Sequence, residues 1–151
     1  MAVGLKRLPG NTMQPHQLNA AQAAAAIRAG ELTSEELVRS CLARIEELEP
    51  TVGAWAHLDP ELALMRARDA DVERRSGRKL GPLHGVPVGI KDIFDTHDLP
   101  TEHGCSLYSG RTPGKDATAV ALLRQAGAII MGKPVTTELA VQAPEKTRNP
   151  H

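Results

Sequence analysis

Residues 81–96 have the sequence G-P-L-H-G-V-P-V-G-I-K-D-I-F-D-T, and this stretch decides the interpretation of the second half of the chain. Glycine and proline interrupt a short β-branched run at residues 86–90, which predicts a buried strand. A second apolar run follows at residues 129–131. A helical pattern lies between them, with Asp116 as its predicted N-cap and Gly127 as its end. The order strand, crossover helix, strand predicts a βαβ unit with parallel strands.

Helical patterns dominate the chain ahead of this unit. An Ala-rich run at residues 18–29 has high helix propensity and ends at Gly30. Thr33 and Glu36 form a capping-box pattern at the start of a second, amphipathic helix. We expect Pro50 to close that helix.

A third helix is predicted from the pair Asp59-Pro60, an N-cap followed by a first-turn proline, to about residue 75. Residues 51–58 alternate in polarity and predict a short strand, and another short helix is expected near Thr136 or Thr137. Residues 1–15 show no periodicity and are interpreted as an N-terminal arm. The predicted fold class is α/β: N-terminal helices, then the start of a mixed, mostly parallel sheet covered by helices.

Composition excludes several classes of protein. The 151 residues include 18 Lys and Arg against 18 Asp and Glu, a zero net charge that argues against binding to nucleic acid or to anionic membranes. Aromatic residues make up only 2%, too few for a base-stacking surface. No apolar run is long enough to span a bilayer, and two cysteines cannot make a disulfide scaffold. We therefore expect a cytoplasmic protein.

Two candidate ligand sites fail on chemical grounds. Residues 127–134, G-A-I-I-M-G-K-P, nearly match a phosphate loop, but their centre is apolar and Pro134 replaces the hydroxyl residue that would hold magnesium. His97, His103 and Cys105 offer zinc-binding atoms, but their spacing matches no zinc pattern and a fourth ligand is not evident. We expect neither a cofactor nor a metal.

Lys91 is the candidate catalytic residue, because it directly follows the predicted strand. The carboxyl ends of strands in α/β sheets are where ligands bind, and burial there would favour the neutral amine, a possible general base. The competing interpretation is that Lys91 and Asp92 form an ordinary solvated strand end.

A family resemblance favours the catalytic interpretation. Five segments, in this order and spacing, resemble the N-terminal half-site of the amidase signature family, and the similarity extends from residue 18 to residue 151. The segments are G-V-P-V-G-I-K-D-I-F-D-T (85–96), P-T-E-H-G-C-S (100–106), D-A-T-A-V-A-L-L-R-Q-A-G-A-I-I-M-G-K (116–133), T-T-E-L-A (136–140) and K-T-R-N-P-H (146–151).

The resemblance implies an amide hydrolase that uses a Ser–Ser–Lys triad, with Lys91 as the triad lysine and small-molecule amides as substrates. It also implies structural roles for Asp92 and Asp95 near the lysine, and a turn shaped by Thr101, Gly104 and Ser106. Departures from the family pattern stand at Pro134, Leu139 and the pair Glu102-His103.

Neither of the family's two serine motifs is found among residues 1–151. We therefore expect this chain to be the N-terminal part of an amidase signature domain over residues 16–151, and to be inactive alone. One alternative is a truncated, non-catalytic product that serves as an interaction module. Another is an amidotransferase A-type subunit that releases ammonia from glutamine. The oligomeric state stays open, with a homodimer as one alternative.

Overall fold

The computed structural model describes residues 13–141 and 144–150. Within them, the helices are α1 (Ala20–Ala29), α2 (Ser34–Val52), α3 (Pro60–Arg75) and α4 (Thr118–Gln125), and the strands are β1 (Trp55–Leu58), β2 (Pro87–Gly89) and β3 (Ile129–Pro134). Single 3-10 turns lie at Pro15–Gln17, Ser106–Tyr108 and Glu138–Ala140. Residues 1–12 of the predicted N-terminal arm lie outside the described residues.

Local capping explains where the first three helices begin. The Asn19 side chain accepts a hydrogen bond from Gln22 N at 2.9 Å, and Thr33 and Glu36 form the predicted capping box. Asp59 Oδ1 accepts from Leu62 N at 2.9 Å, so the predicted start of α3 is confirmed. Each cap satisfies amide donors that a helix cannot satisfy internally.

β3 is the central strand of a mixed three-stranded sheet with the order β1-β3-β2. It pairs in parallel with β2, which confirms the predicted βαβ unit around α4, and antiparallel with β1. Ile129 and Met131 pack against α2 and α3, whereas Ile130 packs with Val120 of α4 and Ile90. Helices therefore cover both faces of the sheet, as the fold-class prediction requires.

Pro50 does not end the second helix, so that prediction is wrong. α2 continues through Pro50 to Val52, and Gly53 ends it in the left-handed region with φ 61°. Gly53 N donates to Glu49 O at 2.9 Å, which closes the last turn. Because the helix takes residues 51 and 52, the predicted strand over residues 51–58 shortens to β1.

One further local prediction is wrong. Asp116 does not cap α4: Ala117 is the residue at the N-cap, and the Asp116 carboxylate accepts from His97 N at 2.9 Å and from Arg124 Nε at 3.0 Å. Tertiary contacts thus override the local capping preference of Asp116.

A short helix does begin next to Thr137, as expected, with Thr137 at its N-cap. It is a single 3-10 turn, and Leu139 within it adopts a left-handed φ of 47°.

No helix in the described part of the chain combines the length and apolar character needed to cross a membrane.

Candidate active site

Lys91 lies just beyond the carboxyl end of β2, and its side chain is exposed. Pairing with β3 extends past it, because Ile90 N donates to Gly132 O at 3.0 Å and Asp92 N donates to Pro134 O at 2.9 Å. Ile90 and Asp92 are buried on one face, so alternation directs Lys91 to the other. The position of Lys91 at a strand end agrees with the sequence prediction, but its expected burial is not observed in this chain.

Asp92 is 1% exposed and joins three segments of the chain. Its Oδ2 accepts a hydrogen bond from Glu102 N at 3.1 Å, and its backbone oxygen accepts one from His103 N at 3.1 Å. Its Oδ1 lies 2.9 Å from Lys133 Nζ as an ion pair. A buried carboxylate needs such partners, because removing it from water is costly. The structural role expected for Asp92 is thus to connect the end of β2 with β3 and with the turn at residues 100–106.

Lys133, on β3, is fully buried at 0% exposure. Besides the Asp92 contact, its Nζ donates to Pro100 O at 3.1 Å and to Thr101 Oγ1 at 2.6 Å. Desolvation lowers the pKa of the Lys133 ammonium, and the Asp92 carboxylate opposes that shift. Three oxygen atoms surround the three N–H groups of the ammonium, and no solvent reaches it. Lys133 is therefore a structural cation and is not available as a base.

Sequence reasoning missed Lys133, although it formed part of the phosphate-loop pattern that we rejected. Residues 129–134 are indeed strand β3 rather than a loop. Simple alternation would group Lys133 with Ile129 and Met131. The register is irregular beside Gly132, however, and Lys133 meets Asp92, which shares a strand face with Ile90. The available signal was a lone lysine at the end of an apolar strand, opposite an Asp at the end of its parallel neighbour.

Asp95 holds the loop that follows Lys91. Arg111 donates to both of its carboxylate oxygens, at 2.8 Å and 3.1 Å. These hydrogen bonds lower the pKa of the Asp95 carboxyl, against a smaller opposing effect of burial. Phe94 N also donates to Lys91 O at 3.0 Å, which makes the lysine part of a tight turn. The loop beyond the lysine is therefore closed on itself and tied to Arg111.

The turn at residues 100–106 packs against the chain that leaves β3. Gly104 has a φ of 62°, and a Cβ there would lie 2.6 Å from Thr136 O, so this position requires glycine. The Glu102 carboxylate accepts from Gly110 N at 2.6 Å and lies 3.1 Å from His57 Nε2. Gly104 thus shapes this turn as predicted, and Thr101 ties the turn to β3 because its Oγ1 accepts from Lys133 Nζ.

A polar cavity of about 330 Å³ opens beside this turn. Ser106 and Ser109 line it together with Asp92, Glu102 and Thr136. The remaining serines lie elsewhere: Ser34 and Ser40 are buried in α2, and Ser76 follows α3.

The three residues considered for zinc do not come together as a site. His97 hydrogen-bonds Asp116, while the ring of His103 packs edge-on against Tyr108 at 5.1 Å between centroids. His97 does lie with two carboxylates, those of Asp98 and Asp116. Guanidinium groups already occupy both: Arg124 contacts each carboxylate, and Arg66 also contacts Asp98. This cluster is an ion-pair network.

The chain is similar to amidases and to amidotransferase subunits. It is 44% identical over 126 residues to the A-type subunit of a glutamyl-tRNA(Gln) amidotransferase from Chloroflexus aurantiacus, a match that covers 83% of this chain and 26% of that protein. The peptide amidase of Stenotrophomonas maltophilia has a similar structure: TM-score 0.76, 38% identity, 83% of this chain and 26% of that one. An amidase family protein from Bacillus anthracis gives a TM-score of 0.72 at 32% identity, over 81% of this chain and 25% of that one.

These matches show which family the chain belongs to and what share of its relatives' length it spans. It spans about a quarter of the length of the relatives it matches. The family model described as Amidase matches residues 36–150, which include both helical cover and sheet, Lys91 and the Asp92–Lys133 pair. The chain belongs to the Amidase family.

Proposed function

We propose that the full-length protein carrying this chain hydrolyses the C–N bond of small amides, with Lys91 as its general base. The observation that carries the proposal is the position of Lys91 within an Amidase-family sequence. It is the exposed lysine at the carboxyl end of a parallel strand, while both of its neighbours in sequence are buried. The other lysine at this edge, Lys133, has its ammonium engaged and is closed to solvent.

The mechanism follows from the resemblance to the Ser–Ser–Lys enzymes. The neutral Lys91 amine takes a proton through a bridging serine as the nucleophilic serine attacks the amide carbonyl. Backbone amides stabilise the oxyanion, the C–N bond breaks, and the leaving amine receives, through the bridging serine, the proton that Lys91 took up. Water then hydrolyses the serine ester. We assign both serines and the oxyanion donors to parts of the protein outside this chain, so the chain alone is expected to be inactive.

The charges around Lys91 are compatible with this role. A carboxylate facing the amine would favour its protonated form, which cannot act as a base. The Asp92 carboxylate instead faces the opposite side of the strand, where Lys133 neutralises it. The Asp95 carboxylate is neutralised by Arg111. Both carboxylates next to Lys91 in sequence are therefore paired with other cations and not with its amine.

The test compares the full-length protein with its Lys91→Ala variant. Ammonia release from a panel of small amides measures turnover, and we expect the variant to lose activity by about 10²- to 10⁴-fold with no change in Tm. Lys79→Ala removes an exposed lysine that lies ahead of the amino end of β2, whereas Lys91 follows the carboxyl end, and it serves as the matched control, with activity retained. Normal turnover in Lys91→Ala would refute the assignment of the base.

The amidotransferase alternative is supported by the 44% identity to an A-type amidotransferase chain. It predicts that glutamine is the preferred amide and that a partner protein stimulates ammonia release.

The alternative of a non-catalytic interaction module predicts that this chain self-associates, which sedimentation would detect. It also predicts that no longer form of the protein is active. The same measurement on the full-length protein tests for a homodimer.

We also propose a cytoplasmic location, since Cys41 and Cys105 are free thiols, as in a reducing compartment.

A further inference from the structure

Lys133 is a buried charged group for which the proposed mechanism has no use. Its ammonium has no exposed surface, and its partners are Asp92, Pro100 and Thr101. A buried ion pair seldom adds net stability over apolar residues of the same volume. Its presence at the carboxyl edge of the sheet is better explained by what it holds in place.

The Asp92–Lys133 pair holds the backbone on the carboxyl side of Lys91. The Asp92 amide, which is bonded directly to the Lys91 carbonyl carbon, donates to Pro134 O at 2.9 Å. The Asp92 side chain is fixed by Lys133 from β3 and by the Glu102 amide from the adjoining turn. The peptide unit next to Lys91 is thereby fixed to two separate segments.

The backbone on the amino side of Lys91 is held equally firmly. Ile90 N donates to Gly132 O at 3.0 Å, and the Ile90 side chain is buried in the core with Ile130 and Val120. With the residues on both sides fixed, the direction in which the Lys91 side chain leaves the strand is determined. A shift of Asp92 would rotate that direction.

We propose that Lys133 is a positioning residue for Lys91: its ammonium holds the buried Asp92 carboxylate and so sets the orientation of the strand end that presents Lys91. This inference rests on the proposed function of Lys91 as the base. In this role the charge of the Lys133 ammonium is more important than the volume of its side chain.

Removal of the Lys133 charge changes both geometry and field at this edge. Lys133→Met keeps most of the volume but leaves the Asp92 carboxylate buried without its counter-charge. The carboxylate must then move or take up water, and its charge is no longer neutralised beside Lys91. Among the other charged groups, Asp95 is paired with Arg111 and Glu102 with His57, and Glu145 and Lys146 line the cavity that Asp92 also lines. Asp92 is the group whose partner the substitution removes, so its electrostatic field on Lys91 is the one that changes.

The experiment measures kcat, KM and pH profiles in the full-length protein for Lys133→Met, Asp92→Asn, the double variant and the control Lys79→Met. We expect Lys133→Met to lower kcat by about 10- to 100-fold with KM within about twofold, because the base is misplaced. The acidic limb of its kcat/KM profile should move to higher pH, since the unpaired carboxylate favours protonated Lys91. The double variant should return this limb to its original position, and Lys79→Met should match the parent.

Each outcome separates the inference from the proposed function. An inactive Lys91→Ala together with a Lys133→Met that keeps the parental kcat and pH profile would overturn the positioning role and leave the base assignment intact. An active Lys91→Ala would overturn the base assignment itself. If Lys133→Met does not fold, the double variant, which buries no unpaired charge, decides: a kcat equal to that of the parent would refute the inference.

Discussion

The ends of β2 and β3 lie side by side, and each carries a lysine, yet the two lysines have opposite environments. Lys91 follows β2 and is exposed, whereas Lys133 is the last but one residue of β3 and is fully buried. Lys133 donates its protons to fixed acceptors, while Lys91 is held through its backbone oxygen and the loop after it through the Asp95–Arg111 pair. Two residues of the same type therefore have different roles at this edge of the sheet. Burial and the number of fixed acceptors divide the two lysines into a structural cation and a candidate base.

Truncation of each lysine should give the largest contrast. Lys133→Ala leaves the buried Asp92 carboxylate without a counter-charge and is expected to lower the free energy of unfolding by about 3–5 kcal/mol. Lys91→Ala removes an exposed side chain and should change it by less than about 0.5 kcal/mol. Urea unfolding of both variants measures the difference. Equal losses would show that the two strand ends are not distinct environments.

Chemical labelling should show the next largest contrast. An amine-reactive reagent at mildly alkaline pH should modify Lys91 at a rate close to that of exposed Lys79, because both side chains reach solvent. Lys133 should be labelled only when the structure opens, at least about 100-fold more slowly. Mass spectrometry of peptides from briefly labelled protein gives both rates. Rapid modification of Lys133 in the folded chain would contradict its burial.

A smaller effect is expected from acid, which should remove the contribution of the Asp95–Arg111 contact to the free energy of unfolding. Since Arg111 lowers the pKa of Asp95 in the folded state, their contact contributes stability above the unfolded value of about 3.9. That contribution is lost as pH falls through the lower, folded value. Asp95→Asn should therefore reduce the unfolding free energy by less than about 1 kcal/mol at pH 7, and by nothing once both states are protonated. Urea unfolding at a series of pH values measures the effect.

The control for this prediction is the same substitution in an Arg111→Gln background. There the pH-dependent effect of Asp95→Asn on unfolding should be much smaller, because Arg111 is the largest cause of the lowered Asp95 pKa. A pH dependence of unchanged size in that background would assign the effect to another group.

Features that depend on neighbouring residues in sequence were predictable. The helix propensity of residues 18–29, the Thr33 capping box and the Asp59-Pro60 start each act within a few residues, and the structure has helices at these places. The βαβ unit was likewise visible, because its apolar runs flank an amphipathic segment.

Features that depend on distant partners were not predictable in the same way. Asp116 has the right chemistry for an N-cap, but Arg124 and the His97 amide take its carboxylate. Lys133 resembles an ordinary strand-end charge in sequence, and only its meeting with Asp92 across a register irregularity explains its burial. Lys91 is exposed in this chain, and strand position alone does not say which face of a strand is covered.

The sheet order has a consequence for synthesis of the chain. β1 and β2 are made first, but they do not touch each other, since β3 lies between them and is the last strand in sequence among the described residues. In the folded sheet they lie about two strand spacings, roughly 10 Å, apart, and until residues 129–134 leave the ribosome both lack the strand that pairs with them. The helices with local caps can form earlier. Completion of this sheet is therefore a late event on the ribosome, and an arrest before residue 129 would leave both strand edges open to pairing with other chains.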